Sequence, residues 1–528
     1  MDTQPGSELS RVPCSTRVPS SAYPWYVLGV LFLVYVFNFL DRQIISILAE
    51  DIRASLHVGD TQLGFLFGTA FAIFYSLFGI ALGRLADQWY RGRLIAVGLS
   101  LWSLLTALSG LASSFGQLAL ARVGIGVGEA SATPAAYSLL ADHFPARRRA
   151  LAIAIYSAGL YVGGGLSLPL GGWIVHGWSR AYPAGTAPFG LAGWQAAYLA
   201  VGVPGLLLAL WVLTLREPTR GIADGLAVPA YTPGAWRSFG RELASILPPF
   251  TLYSAARVPG ALRINLCLLA VIGSATLLLT ALTGDKAQWI GFGVGLYAVA
   301  SWMQMLRARD RPTFALLFGT RAVGLALLGF GGIGFIVYSF TFWVAPYVMR
   351  TFAVAPHVAG LALGVPTGFA AAVGCVLGGY LSDLWKRRDP RGRLLVCALG
   401  VILTAPLSVV MLTAKQIAVV YVVYPLLSLC IYMYLGSGAA AIQDCVLPRM
   451  RGVAGATYLL ALSLLGMALG PYLTGKIASL SGSLRTGLLV PLVMVAPTAL
   501  LLWLSAGGVA VAEASRAERA RAAGEAPA

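Results

Sequence analysis

Long apolar runs, each closed by a short polar stretch, recur fourteen times along the chain. They fall at 24–48, 62–86, 94–113, 117–141, 149–176, 194–215, 264–283, 288–306, 317–348, 357–382, 394–412, 416–441, 452–478 and 487–507. A bilayer core takes about 20 residues per helix, and in lipid each backbone polar group must be paired within the segment. The runs therefore predict membrane-crossing helices. Twelve form two sets of six, and the pair over 264–306 lies between the sets. The stretch 233–260 mixes Trp236, Phe239, Leu243, Ile246 and Leu247 with Arg237, Arg241 and Glu242. This mixture reads as an amphipathic helix lying on the membrane surface, against the alternative of a solvated connector. The predicted organisation is a six-helix half over 24–215 and a linker over 216–316 with the amphipathic helix and an extra hairpin. A second half follows over 317–507, then a tail over 508–528, either a short helix or disordered.

Composition agrees. Of the 528 residues, 58% are hydrophobic and 11% charged, where a soluble chain carries roughly 25% charged residues. The net charge of +17 lies in alternate loops. Arg91 and Arg93, Arg147 to Arg149, Arg387 to Arg393, and Arg449 and Arg451 mark one face, while the loops between carry Arg53, Arg180, Lys286, Arg350, Lys415 and Arg485. The positive-inside rule then puts both termini in the cytoplasm, in the inner (plasma) membrane. Both flanks of the 264–306 pair are basic, which favours a full double crossing over a re-entrant loop. No basic patch interleaved with aromatics suggests nucleic acid. The residues before 24 are polar, unlike a cleaved leader.

Cys14, Cys267, Cys375, Cys397, Cys430 and Cys445 are scattered without disulfide or zinc spacing. His57, His143, His176 and His357 lie near span ends and form no ligand set, so no metal is expected. Gly124-x-Gly126-x-Gly128 sits inside an apolar run with no strand before it, which reads as close helix packing. With no Walker motif, no nucleophile–base pair and no cofactor signature, the chain is expected to be neither an ATP-driven pump nor an enzyme.

The two sets repeat. Asp142 and Arg149 bracket Pro145 as Asp444 and Arg451 bracket Pro448, and Pro169 follows Arg149 at the distance that separates Pro471 from Arg451. Gly83 and Asp87 before Arg91-Gly92-Arg93 recur as Gly379 and Asp383 before Arg391-Gly392-Arg393, with four extra residues, Lys386 to Asp389, in the second copy. Parallel halves of this kind hold a substrate site between them near the midplane.

The segment Gly83 to Arg93 resembles motif A of the major facilitator superfamily, which implies an all-α fold of two six-helix halves. In it Gly83 would allow close helix approach, and Asp87 would take charge from Arg91, Arg93 or a helix terminus, holding the cytoplasmic side shut. Gly159-x3-Gly163-Gly164-Gly165-x3-Pro169-x-Gly171-Gly172 resembles the glycine–proline motif of exporters, without its Gly-Pro pair.

Charges inside spans are costly and usually paired or functional. The first span carries Asn38, Asp41 and Arg42; the fourth carries Arg122 and Glu129. Arg122 and Glu129, seven apart, share a helix face about 10 Å apart, and Asn38 can brace Arg42 four residues on. Two readings stand: a static knot joining the helices, or a proton-titrating, substrate-orienting cluster. Asn38 to Arg42, Arg122 to Glu129, Trp194 to Pro204-Gly205 ahead of Arg216-Glu217-Pro218, and the linker from Trp236-Arg237 to Leu247-Pro248-Pro249 together resemble the spinster family, whose animal members export sphingolipid-type or lysophospholipid-type amphiphiles. That resemblance implies that Asp41, Arg42, Arg122 and Glu129 line a central cavity, with Glu129 the leading proton site. In the second half Tyr424 and Ile431 stand where Arg122 and Glu129 do, and Tyr338, Phe342, Trp343, Thr367 and Tyr432 suggest an aromatic cavity wall. The expectation is a monomeric secondary transporter carrying out proton-linked export of a small, lipid-like or amphiphilic anion. The alternatives are proton-coupled uptake of a small organic anion and drug/proton antiport.

Overall fold

In a computed structural model, residues 22–525 are described, apart from 184–185, 222, 224–230 and 232. Cys14 and the polar segment around it lie outside the described residues. Among the described residues, thirteen helices are long and apolar enough to cross a membrane. The first half begins with α1 (Tyr23–Leu56), α2 (Asp60–Phe67), α3 (Thr69–Gln88) and α4 (Arg91–Ser109), and continues with α5 (Phe115–Glu129), α6 (Ala132–His143), α7 (Ala146–Ala181) and α8 (Gly193–Leu213). The expected fourth span is the broken pair α5–α6. Its break lies beside Ser131, whose hydroxyl donates to the Gly128 carbonyl at 2.8 Å and so competes with the helix ladder.

The linker folds as α9 (Ala235–Ile246), α10 (Phe250–Ala256), the hairpin α11 (Ala261–Thr283) and α12 (Lys286–Arg309), and α13 (Arg311–Phe318). The expected surface helix is thus two helices, parted at Pro248-Pro249. It is docked rather than solvated: Glu242 is buried and accepts from Arg84 at 2.6 Å, and Trp236 meets Trp89 edge-on at 5.0 Å. The hairpin turns at Gly284, with φ +79°, a conformation glycine adopts without strain. About 1.5 Å of rise per residue makes either arm long enough to cross the bilayer.

The second half comprises α14 (Arg321–Phe352), α15 (Pro356–Lys386), α16 (Gly392–Thr413), α17 (Ile417–Tyr432), α18 (Tyr434–Asp444) and α19 (Arg451–Leu460). A π-helical turn (Ala461–Met467) leads into α20 (Gly470–Ser481), α21 (Leu484–Gly487), α22 (Leu489–Val493) and α23 (Val495–Ala514), and the tail forms α24 (Arg516–Ala522). The repeat is visible in detail. The α17–α18 break at Met433 falls 302 residues after Ser131. Arg91 pairs with Asp142, and Arg393 pairs with Asp444, again 302 residues on. Arg393, not Arg391, is therefore the structural counterpart of Arg91.

The halves meet tightly at their arginine-poor ends, along α2 against α20 and α7 against α15. A Cβ at Gly64 would lie 2.3 Å from the Pro471 carbonyl oxygen, and one at Gly364 would lie 2.5 Å from that of Gly165, so only glycine lets these backbones touch. Arg350 crosses the seam to Glu50 and Asp60, each at 2.6 Å. The His176 and His357 rings meet across it, tilted by 34° with centroids 3.9 Å apart.

Candidate functional site

Adjacent residues on a helix point about 100° apart, so Asp41 and Arg42 face different neighbours. Asp41 is buried and accepts from Thr106 of α4 at 3.3 Å through Oδ2. Arg42 turns the other way, to Glu129. Its Nε and Nη2 donate to Glu129 Oε2 at 3.1 and 2.6 Å, and Nη2 also reaches Asn38 Oδ1 at 3.4 Å. The guanidinium lies among three rings, 4.7 Å from Phe39, 4.6 Å from Phe71 and 4.7 Å from Tyr75. In a desolvated place such faces attract a cation.

Arg122 does not bond Glu129, despite sharing its helix face. Its Nε donates to the Leu66 carbonyl at 3.3 Å, one of the carbonyls that ends α2 where the chain breaks at Gly68. The negative end of a helix suits a cation. Phe71 lies between the two guanidinium groups, 5.3 Å from that of Arg122. Arg122 Nη1 and Nη2, Glu129 Oε1 and Asp41 Oδ1 are buried without hydrogen-bond partners among the described residues. The cluster therefore holds one closed ion pair, Arg42–Glu129, one arginine with two idle donors, and two carboxylates each with an idle oxygen.

Beside this cluster a cleft runs between the halves. Phe39, Gln43, Tyr161 and Ser167 line it from α1 and α7, and Thr341, Thr367, Tyr424 and Tyr432 from α14, α15 and α17. The other expected wall residues are elsewhere. Phe342 stacks on Phe67 across the seam at 4.6 Å, and Trp343 donates its indole N–H to the Pro471 carbonyl at 2.9 Å. Both are fully buried, because that face of α14 turns toward the closed end. Tyr338 is partly buried and is not among the cleft residues. The arginine-poor seam residues Glu50, Asp60 and Arg350, and the uncharged cleft residues Gln43, Tyr161 and Thr341, were missed. Only the charges of the first group offered a signal, since all three lie at the ends of apolar runs.

The arginine-rich motif is rearranged from expectation. Arg91 is buried and pairs with Asp142 and with Glu217, the latter at 2.7 Å. Arg93 stacks on Tyr90 at 4.6 Å. Neither hydrogen-bonds Asp87, although the charges of Arg220 and Arg91 act on its carboxyl; Arg220 also donates to the carbonyls of Ala86, at 2.8 Å, and Trp89. A Cβ on Gly83 would meet only Pro134, at 4.0 Å, and one on Gly379 would meet nothing within 4 Å. Asp383 is bound to Arg393 at 3.4 Å. In this conformation each cluster ties its own half, or its half to the linker, and the expected close approach at these glycines is not made. The seal between halves is at the other end.

A family model described as the Major Facilitator Superfamily matches residues 31–471. The chain is 27% identical over 455 residues to an MFS-type efflux pump of Mycolicibacterium smegmatis, spanning 86% of this chain and 84% of that one. It is 26% identical to human protein spinster homolog 1 over 471 residues, spanning 86% of this chain and 72% of that one. Among solved structures, a bacterial homologue of the human lysosomal transporter spinster, in an inward-facing and unoccupied conformation, superposes with a TM-score of 0.67 at 25% identity. The match covers 95% of this chain and 99% of that one.

Proposed function

Because this chain belongs to the Major Facilitator Superfamily, a family of membrane transporters rather than enzymes, we propose that it exports an amphiphilic anion together with a proton by alternating access. Residues 24–215 and 317–507 rock about the central cleft, with the lipid bilayer around them. One observation carries the reading: Glu129 is closed on Arg42 while Arg122, beside it, keeps two buried donors idle. Protonating Glu129 cancels its charge and releases Arg42, so two guanidinium groups become available to one anionic group. Deprotonation returns Arg42 to Glu129 and expels the anion. Asp41 is a second proton site, held by Thr106 on α4, and Asn38 steadies Arg42. A proton or solute can bias the two states only through its different affinity for each.

The similarity to an efflux pump favours export over the second reading, proton-coupled uptake of a small organic anion through the same arginines. The test is Glu129→Gln in proteoliposomes. Binding and counterflow are expected to persist while the pH dependence of net transport disappears. An unchanged pH profile removes Glu129 from the coupling role.

A further inference from the structure

The cleft and the charge cluster are separate compartments. Phe39 presents its ring to Arg42 at 4.7 Å and also forms the cleft wall. Beyond that ring no cleft-lining residue is charged. Yet three cleft residues hold buried polar atoms without hydrogen-bond partners among the described residues: Gln43 Oε1, Tyr161 Oη and Thr367 Oγ1. Gln43 is 7% exposed, so its orphan acceptor is deeply enclosed. An amide and two hydroxyls together offer donors and acceptors, a set matched to hydroxyl or amide groups and poorly matched to bare hydrocarbon. The three come from both halves, Gln43 and Tyr161 from the first and Thr367 from the second, and the rings of Tyr161 and Tyr432 meet edge-to-face across the cleft, centroids 6.3 Å apart.

We propose that Gln43, Tyr161 and Thr367 form a subsite for an uncharged amide or hydroxyl carried a few bonds from the anionic group of the solute. The favoured class is then an acyl amide or hydroxyacyl anion over a plain fatty anion. The proposal rests on the anion reading above. The anionic group goes to Arg42 and Arg122, the amide or hydroxyl lies on the far side of Phe39, and the chain continues past the tyrosine pair. Because the subsite draws on both halves, its occupancy also reports their closure.

The test uses two probes with equal numbers of atoms in line, N-octanoylglycine and undecanoate, titrated by calorimetry into the purified full-length chain. Wild type is expected to bind the acylglycine about tenfold more tightly, since a buried site built for polar groups is left unpaired by hydrocarbon. Gln43→Leu and Thr367→Val, each close in shape to the residue replaced, are expected to shrink that preference to about twofold, chiefly by tightening undecanoate, whose hydrocarbon then leaves no polar group unpaired. Equal binding of the two probes by wild type overturns the subsite, as does a preference that survives both substitutions. Arg122→Gln separates this failure from failure of the anion reading. If both probes weaken together in that variant while wild type shows no preference, only the subsite is lost. If both bind it undiminished, or neither binds wild type, the anion reading falls and the subsite with it.

Discussion

Arg42 engages Glu129 through two nitrogens while its plane faces Phe39, Phe71 and Tyr75. A lysine ammonium could keep the charge but not the fork or the flat face. Arg42→Lys is therefore expected to fold yet transport at least about tenfold more slowly in proteoliposomes. Arg42→Ala should be worse for stability, because it leaves Glu129 buried and uncompensated, at a cost of about 3–5 kcal/mol. Adding Glu129→Gln to it should restore most of the melting temperature, and a double variant no more stable than Arg42→Ala would contradict the pairing. The charged members of this site stood out in the sequence, since an arginine or glutamate is conspicuous in an apolar run. Their pairing did not. Spacing brought Arg122 and Glu129 onto one face, but whether α1 or α5 supplies the partner depends on how the two helices are rotated and packed. The same ambiguity explains the cavity wall. Thr367, Tyr424 and Tyr432 line the cleft while Phe342 and Trp343 do not, and a span apolar on all sides has no polar face from which to read its rotation.

Helix contacts at the arginine-poor seam depend on backbones touching, so side chains added there should act on conformation. Gly364→Ala places a methyl 2.5 Å from the Gly165 carbonyl oxygen and from Pro169 Cδ. It is expected to favour the state open on that face, read as longer distances between spin labels at positions 61 and 479, where Thr61 and Ser479 are 3.2 Å apart. Gly83→Ala, with only Pro134 near, should leave the same distances unaltered. At the opposite face Asp310 caps α13 through Thr313 and takes Arg449 at 2.9 Å. Burial raises the Asp310 carboxyl, but the hydrogen bonds from Arg449 and Thr313 outweigh it and hold the carboxyl below its ordinary value. A depressed folded value means stability that is complete above the unfolded value, about 3.9, and lost as pH falls through the folded one. The melting-temperature gap between wild type and Asp310→Asn should thus be constant from pH 8 to about 5 and close below pH 4. Its size should match about 1 kcal/mol, as for a helix cap and a partly exposed pair. Helix number and the repeat were legible in the sequence because hydrophobic length and the Asp–Pro–Arg spacing are local properties. The breaks at Ser131 and Met433 were not, since neither residue by itself marks a break inside an apolar run, and neither was the register that makes Arg393 the partner of Asp444, which arises from contacts between helices.

Alternating access requires the arginine-poor ends of the two halves to part, and the hairpin bears on that step. Its second arm, α12, lies across the seam and does not stand apart in lipid. Gln288 is within hydrogen-bond reach of Thr69 in the first half, at 2.6 Å, and donates to the Ala468 carbonyl in the second, at 3.2 Å. A Cβ at Gly295 would touch Ile73 on one side and Leu464 on the other. Asp285, at the hairpin turn, pairs with Lys476 at 2.7 Å and accepts from Tyr472 at 2.8 Å. At its other end Arg309 reaches Glu242 at 3.7 Å, so α12 runs from one face of the protein to the other while touching both halves. Parting α2 from α20 must then break either the Thr69 contact or the Ala468, Tyr472 and Lys476 contacts. Since the latter set includes a charge pair, the hairpin should stay with the second half and release the first. Weakening the first-half contact with Gln288→Leu is expected to raise the population with separated labels at positions 61 and 479. Lys476→Met should raise it less, because the Thr69 contact is the one that yields on opening. Identical label distributions in wild type and both variants would mean that the hairpin rides passively on the seam. A larger shift from Lys476→Met would mean that it travels with the first half.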